Sequence, residues 1–128
     1  MDLDTDTALK LACGFGAGMG RKEFVCGAVS GGILVLGAKY GRGDREGESA
    51  KEATYEKTRE LIDRFIAKHG TVICRELLNG CDLLTEEGRR LFEDKQLKDK
   101  ACKPCVVSTI QILEELLKPW TPPPTRTE

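Results

Sequence analysis

The segment FVCGAVSGGILVLGAKYG, Phe24 to Gly41, constrains this chain more than any other. It is apolar enough to be buried and long enough for a helix, yet it carries Cys26, Gly27, Gly31, Gly32 and Gly37. Each glycine inside a helix costs roughly 1 kcal/mol against alanine. A helix that accepts several is one that other elements approach closely. Gly27 and Gly31 are four apart, and Ala28 and Gly32 repeat that spacing one residue on. Such small faces let a second helix backbone come near, a rule best attested in membranes and used here by analogy. The expected centre of the fold is a slender, buried helix with a thiol at its start.

The rest of the composition agrees with a helical protein. Leu, Ala, Glu, Lys and Arg are plentiful, and aromatic residues make up only 5% of the 128 residues, which favours helix over sheet. The expected fold is all-α, a small helical bundle of about four to six helices around the glycine-rich one. One helical domain is expected over residues 1–118, with 119–128 a proline-rich tail expected to be disordered. A net charge of −1 gives no electrostatic case for nucleic acid or an anionic membrane surface. The apolar run from Phe24 to Ala38 falls short of the roughly 20 residues a spanning helix needs, so no membrane insertion is expected. The opening MDLDTDTALK has neither the basic nor the apolar region of a secretory signal. The expected setting is cytoplasmic, where cysteines serve as metal ligands, redox centres or core residues rather than as a disulfide framework.

Local signals place the other elements. Asp4 to Cys13 reads as a short amphipathic helix with Leu9 and Leu11 inward. CGFGAGMG follows, with glycine at positions 14, 16, 18 and 20; it predicts a loop of unusual dihedrals and matches neither a Rossmann fingerprint nor a P-loop. GRGDREGES (41–49) reads as a linker. Ser49 and Glu52 form a capping box that opens a long helix to about His69, with Tyr55, Leu61, Ile62, Phe65 and Ile66 on its apolar stripe. His69-Gly70 reads as that helix's end. TVICRELLNG (71–80) predicts a short helix stopped at Asn79-Gly80, and Thr85 starts another through Phe92. Cys102 to Leu117 forms the last helix, with Val106, Ile110, Leu113 and Leu117 inward.

Chemistry, if present, lies with the six cysteines. Helix N-termini favour thiolate over thiol, and Cys26 sits near the start of its helix. Cys102-Lys-Pro-Cys105 is a CxxC pair with proline inside it at a helix start, a pattern that stabilises one sulfur as thiolate. A βαβ context of the thioredoxin kind is missing. A four-thiolate metal site could be assembled from Cys26, Cys74, Cys102 and Cys105, although the paired CxxC…CxxC spacing of zinc ribbons is lacking. Ser30 is not in a nucleophile elbow, and the carboxylates track exposed helix faces.

With these residues laid out, the chain resembles the C_GCAxxG_C_C family of redox-active proteins. The likeness runs from about Asp4 to Leu117 and rests on GFGAGMG (14–20), CGAVSGG with ILVLGAKYG (26–41), CRELL (74–78) and Cys102 before the last helix. It implies a small, mostly helical protein with thiols gathered around the glycine-rich helix. Cys26, Cys74 and Cys102 match the family's cysteines, whereas Cys81 and Cys105 are local additions. Such proteins usually begin with a further helix bearing a Gly-Tyr-x-Cys type cysteine, which this sequence does not show. Cys13 or Cys105 would then replace the fourth thiol, and an apolar face would be left for a second copy, as in a homodimer. The expected activity is thiol/disulfide or electron-transfer chemistry at Cys26, Cys74, Cys102 and Cys105, a thiol-based oxidoreduction with an unknown redox partner. The alternatives are a metal or iron–sulfur cluster on the same thiols, and a structural or regulatory helical module.

Overall fold

The computed structural model describes residues 3–118; the expected disordered tail lies outside the described residues. Among the described residues six helices make up the fold: α1 (Thr5–Ala12), α2 (Gly27–Tyr40), α3 (Glu48–His69), α4 (Cys74–Leu77), α5 (Glu86–Asp94) and α6 (Lys103–Leu116). Among the described residues the only extended pairing is a single antiparallel bridge between Val25 and Ile73. The protein is an all-α bundle. Among the described residues, no helix is long and apolar enough to cross a membrane.

The ends of these helices follow from short-range chemistry. Asp4 caps α1 by accepting from the Thr7 amide at 2.8 Å, and Thr85 caps α5 by accepting from the Gly88 amide at 2.9 Å, each satisfying one amide the helix itself leaves unpaired. Helix α3 starts at Glu48 from Gly47 without any side-chain cap, so the expected capping box at Ser49 does not form. It ends at Gly70, which is left-handed (φ 85°) and donates to Ile66 O at 2.7 Å. Asn79 and Gly80, both at positive φ, stop the chain after the single turn of α4.

Three helices build the core. Val29 and Leu36 of α2, Leu61 and Phe65 of α3, and Cys105, Ile112, Leu113 and Leu116 of α6 form one buried cluster. Full burial of a Leu or Phe side chain stabilises by about 1.5–3 kcal/mol, so these residues dominate the fold's energetics. The glycine-rich helix is central as expected. A Cβ on Gly32 would stand 2.8 Å from Thr109 Cγ2 and 2.9 Å from Leu61 Cδ2, so α2, α3 and α6 meet at this residue. A smaller cluster of Cys74, Leu78, Cys81 and Leu83 lies beside the first.

Two apolar faces differ from expectation. Helix α1 buries nothing: Leu9 is 66% and Leu11 64% exposed. On α6 the inward face is turned, with Cys105, Ser108, Thr109, Ile112 and Leu116 inside, whereas Val106 and Ile110 are 46% and 48% exposed. Val106 and Ile110 instead edge an apolar groove between α2 and α6, with Gly31 and Val35 across from them.

Candidate functional site

The site begins in the glycine loop. From Ala17 to Glu23 the backbone is left-handed at Ala17, Gly18, Met19, Gly20, Arg21 and Glu23 (φ 52–72°). Four of these are not glycine, an uncommon and costly conformation for residues with a Cβ. Gly18 alone has no substitute: a Cβ there would lie 2.6 Å from Glu23 Cα and 2.8 Å from Cys74 Cβ. The loop therefore folds tightly under the segment that carries the first thiol.

That segment is pinned by the chain after α3. The Cys26 amide donates to Val72 O at 2.7 Å, the Cys74 amide to Phe24 O at 2.6 Å, and the Arg75 amide to Glu23 O at 3.3 Å. Side chains alternate across an extended pair. With Val25 facing Ile73, Cys26 and Cys74 project on one face of the bridge. Cys26 is half-buried and caps α2; Cys74 is buried and opens α4.

Helix α6 supplies the other two sulfurs. Cys102 and Cys105, three residues apart, share a helix face; Cys102 is half-buried and Cys105 is 2% exposed. Cys26 packs against the buried cluster that contains Cys105, and Cys102 against the one that contains Cys74. The backbone bridge sets Cys26 beside Cys74. The two remaining cysteines play no part in this group: Cys13 is exposed, and Cys81 is buried with its Sγ donating to Gly88 O at 3.0 Å. All six are free thiols.

Electrostatics run against one expectation. Burial, with the Glu23 charge and the neighbouring thiols, pushes the Cys74 thiol up from its ordinary 9.0 to about 12. Burial followed by Cys26 does the same to Cys105, again to about 12. Cys102 is also raised, by burial and then by Cys26, so the CxxC pair does not hold a stabilised thiolate. The cause is local. A π-helical turn, Lys98–Cys102, runs straight into α6, and the Lys103 amide already donates to Lys98 O. Cys102 therefore sits inside a continuous helical run and meets no open helix end.

The metal alternative fits poorly. Among the described residues no group of three or more His, Cys, Asp or Glu side chains is disposed to hold a metal ion, so Cys26, Cys74, Cys102 and Cys105 as placed do not make a metal centre.

Two polar residues beside the thiols stand out. His69 ends α3 as expected, but its Nε2 is also 2.8 Å from Ser108 Oγ, and its ring packs 4.6 Å from that of Phe65. With Glu76, Asn79, Lys100 and Cys105 it lines a cavity of about 380 Å³. Glu23 is the larger departure, a carboxylate only 2% exposed where every carboxylate was expected on a solvated face. Its Oε1 accepts from the Leu83 amide at 2.9 Å and faces Arg75 at 3.4 Å. Oε2 is buried without a partner. The charged run Arg-Lys-Glu hid it; the one available signal was its place between the glycine loop and Cys26.

Fold and sequence together define a small all-α protein with a cysteine, Cys26, at the start of its glycine-rich helix. No curated protein and no solved structure matches the chain. A family model does, over residues 1–116: the chain belongs to the family described as "Putative redox-active protein (C_GCAxxG_C_C)".

Proposed function

We infer that this protein carries out thiol–disulfide exchange with Cys26 as the entry sulfur and Cys74, Cys102 and Cys105 as its internal partners. The observation that carries the reading is that Cys26 lies in the backbone bridge that ends at Cys74 and packs against the cluster that contains Cys105. Cys26 is also more open than the buried Cys74 and Cys105. The Cys26 thiolate attacks one sulfur of a small disulfide, forming a mixed disulfide and releasing one thiol. A neighbouring protein thiol, on losing its proton, attacks the Cys26 sulfur and releases the second thiol. The external disulfide is reduced to two thiols, and two protein thiols become one disulfide. A cytoplasmic setting, where small disulfides and their reductants circulate, suits such exchange.

Differential alkylation with peptide mass mapping, after equilibration in glutathione buffers of graded potential, tests this. A disulfide from Cys26 to one of the three partners is expected, and it should vanish in Cys26→Ser. If no cysteine changes state across the series, the reading is wrong.

A further inference from the structure

We propose that the groove between α2 and α6 receives α1 of a second copy of this chain, and that the swap is mutual, giving a two-fold dimer. Dimer formation of this kind is independent of the chemistry at Cys26. Two apolar features of the fold are left without a partner. The first is the groove, about 370 Å³, which runs from Gly27 and Val106 at one end to Val35 and Leu113 at the other. Val35, Val106 and Ile110 on its walls are 41%, 46% and 48% exposed. A Cβ on Gly31 in its floor would meet nothing within 4 Å, and no charged residue lines it. The second feature is α1. Its apolar stripe runs through Leu11, Ala8, Ala12 and Leu9 around the helix, and Asp6 and Lys10 pair at 3.2 Å on the opposite face. Among the described residues Leu9 and Leu11 are the most exposed large apolar side chains, and no residue of α1 packs against either core cluster.

The two features match in length and chemistry. From Gly27 to Val35 helix α2 rises about 12 Å, and the eight residues of α1 cover the same span. Ala8 and Ala12, one turn apart, let the incoming helix settle on the glycine floor, while Leu9 and Leu11 on either side meet the Val35 and Ile110 walls. The charges of α1 stay on its far face, so docking buries no unpaired charge. The occupant is a second copy's helix because of where the chain's own α1 departs. A Cβ on Gly27 would lie 2.9 Å from Phe15 O, which sets the turn Cys13–Phe15 at the groove's end. Yet no residue of α1 lines the groove. A helix that leaves from the mouth of a groove it does not fill is the arrangement from which identical elements are swapped between protomers. Two-fold symmetry makes the contact twice. A two-turn helix in a groove buries on the order of 500 Å² of the two surfaces, so the mutual swap reaches the roughly 1,000 Å² that a specific interface requires.

Sedimentation equilibrium of the full chain, under anaerobic reductant so that the exposed Cys13 cannot link copies by a disulfide, gives the first test. The wild type is expected to dimerise with a dissociation constant of about 10 μM, as suits an interface at the low end of the size range. Leu9→Glu with Leu11→Glu, and separately Ile110→Glu, should each weaken dimerisation at least about a hundredfold. All three side chains are exposed in the single chain, so circular dichroism should show both variants folded. The wild type alone decides the mode of contact, whatever the variants do. In a mixture of isotope-labelled and unlabelled protein, filtered NMR should show cross-peaks between the Leu9 and Leu11 methyls of one copy and the Val106 and Ile110 methyls of the other. A wild type that stays monomeric at about 200 μM overturns the proposal. So does a Leu9→Glu, Leu11→Glu protein that dimerises like the wild type, or cross-peaks that join Val106 and Ile110 of the two copies without α1, the outcome of two grooves meeting face to face.

Discussion

Between pH 8 and 10 the reduced protein is expected to lose stability through Cys74 and Cys105. Both thiols are less than a tenth exposed, and both are pushed from 9.0 to about 12, chiefly by burial. In the unfolded chain they ionise near the ordinary value; in the fold they keep their protons. Their contribution is therefore fully present below pH 9 and is lost as pH rises toward 12. Three pH units at about 1.4 kcal/mol each set a ceiling of about 4 kcal/mol per thiol. From pH 8 to 10 the loss is about 1.4 kcal/mol for one thiol, or up to about 3 for both if they titrate independently. Both stay protonated in the fold up to pH 10, so their mutual effect does not enter and a value near the upper limit is expected. Against a typical total of about 5–15 kcal/mol this is readily measured. Urea midpoints under anaerobic reductant at pH 8, 9 and 10 give the slope, and Cys105→Ala should make it distinctly shallower. Lysine and tyrosine titration is common to both proteins and cancels in the comparison. Equal losses in the two would refute the assignment of the slope to buried thiols.

Three further outcomes test the packing. Gly18→Ala places a Cβ 2.6 Å from Glu23 backbone at φ 68°, so a loss of about 2–4 kcal/mol is expected by urea denaturation, with quicker alkylation of Cys74 as the loop loosens. Gly31→Ala and Gly32→Ala should act in opposite senses. A Cβ on Gly31 meets nothing within 4 Å, and the variant should gain up to about 1 kcal/mol from helix propensity. Gly32→Ala should lose about 1–2 kcal/mol net against Thr109 and Leu61; thermal melts of the two distinguish them. Phe65→Ala removes a fully buried ring that also packs on His69, and a loss of about 3–5 kcal/mol is expected by the same denaturation measurement.

Much of the fold was legible in the sequence wherever one residue's chemistry decides the outcome. Thr85 starts a helix because its hydroxyl reaches an amide three residues on; Gly70 ends one because it turns left-handed without a steric cost. The glycine loop announced its dihedrals. Faces were harder. Leu9 and Leu11 look inward in a short window, but α1 packs no buried residue against the bundle, a fact of tertiary arrangement. On α6 Leu113 and Leu117 are buried as expected, but both Val106–Ile110 and Cys105–Ile112–Leu116 could join them at helical spacing. Periodicity cannot choose between them. The choice falls to the second because Ser108 and Thr109 are small enough to lie against α3 and α2: Ser108 meets His69, and Thr109 meets Gly32. Cys26 and Cys102 do stand where their helices begin, but the ionisation read from the CxxC pair does not follow. CxxC suggests an open helix end, and the π-turn before Cys102 closes it. Glu23 was hidden because burial of a carboxylate depends on what folds over it, here Leu83 and Arg75 from sixty and fifty-two residues away.

The glycine cost that opens the problem has its return in the position of one sulfur. Cys26 must meet Cys74 along a two-residue bridge and Cys105 across a helix pair, and both contacts are made by backbone that comes unusually close. On one side the loop at Gly18 passes beneath Glu23 and Cys74 with no space for a methyl group. This lets the segment 24–26 hydrogen-bond flat against 72–74. On the other side Gly32 lets α2 settle against Thr109 of α6, one turn beyond Cys105 along the same helix. Cys26, held at the junction of bridge and helix, has no freedom to choose one set of neighbours over the other. A bulkier α2 would stand off from α6 and loosen the packing of Cys26 against the cluster of Cys105 while leaving the bridge to Cys74 in place. Gly32→Val should therefore weaken the coupling of Cys26 to Cys105 and spare its exchange with Cys74. Disulfide mapping in that variant would detect the opposite result, loss of the Cys74 bridge, and that result would show that the two contacts are not set independently.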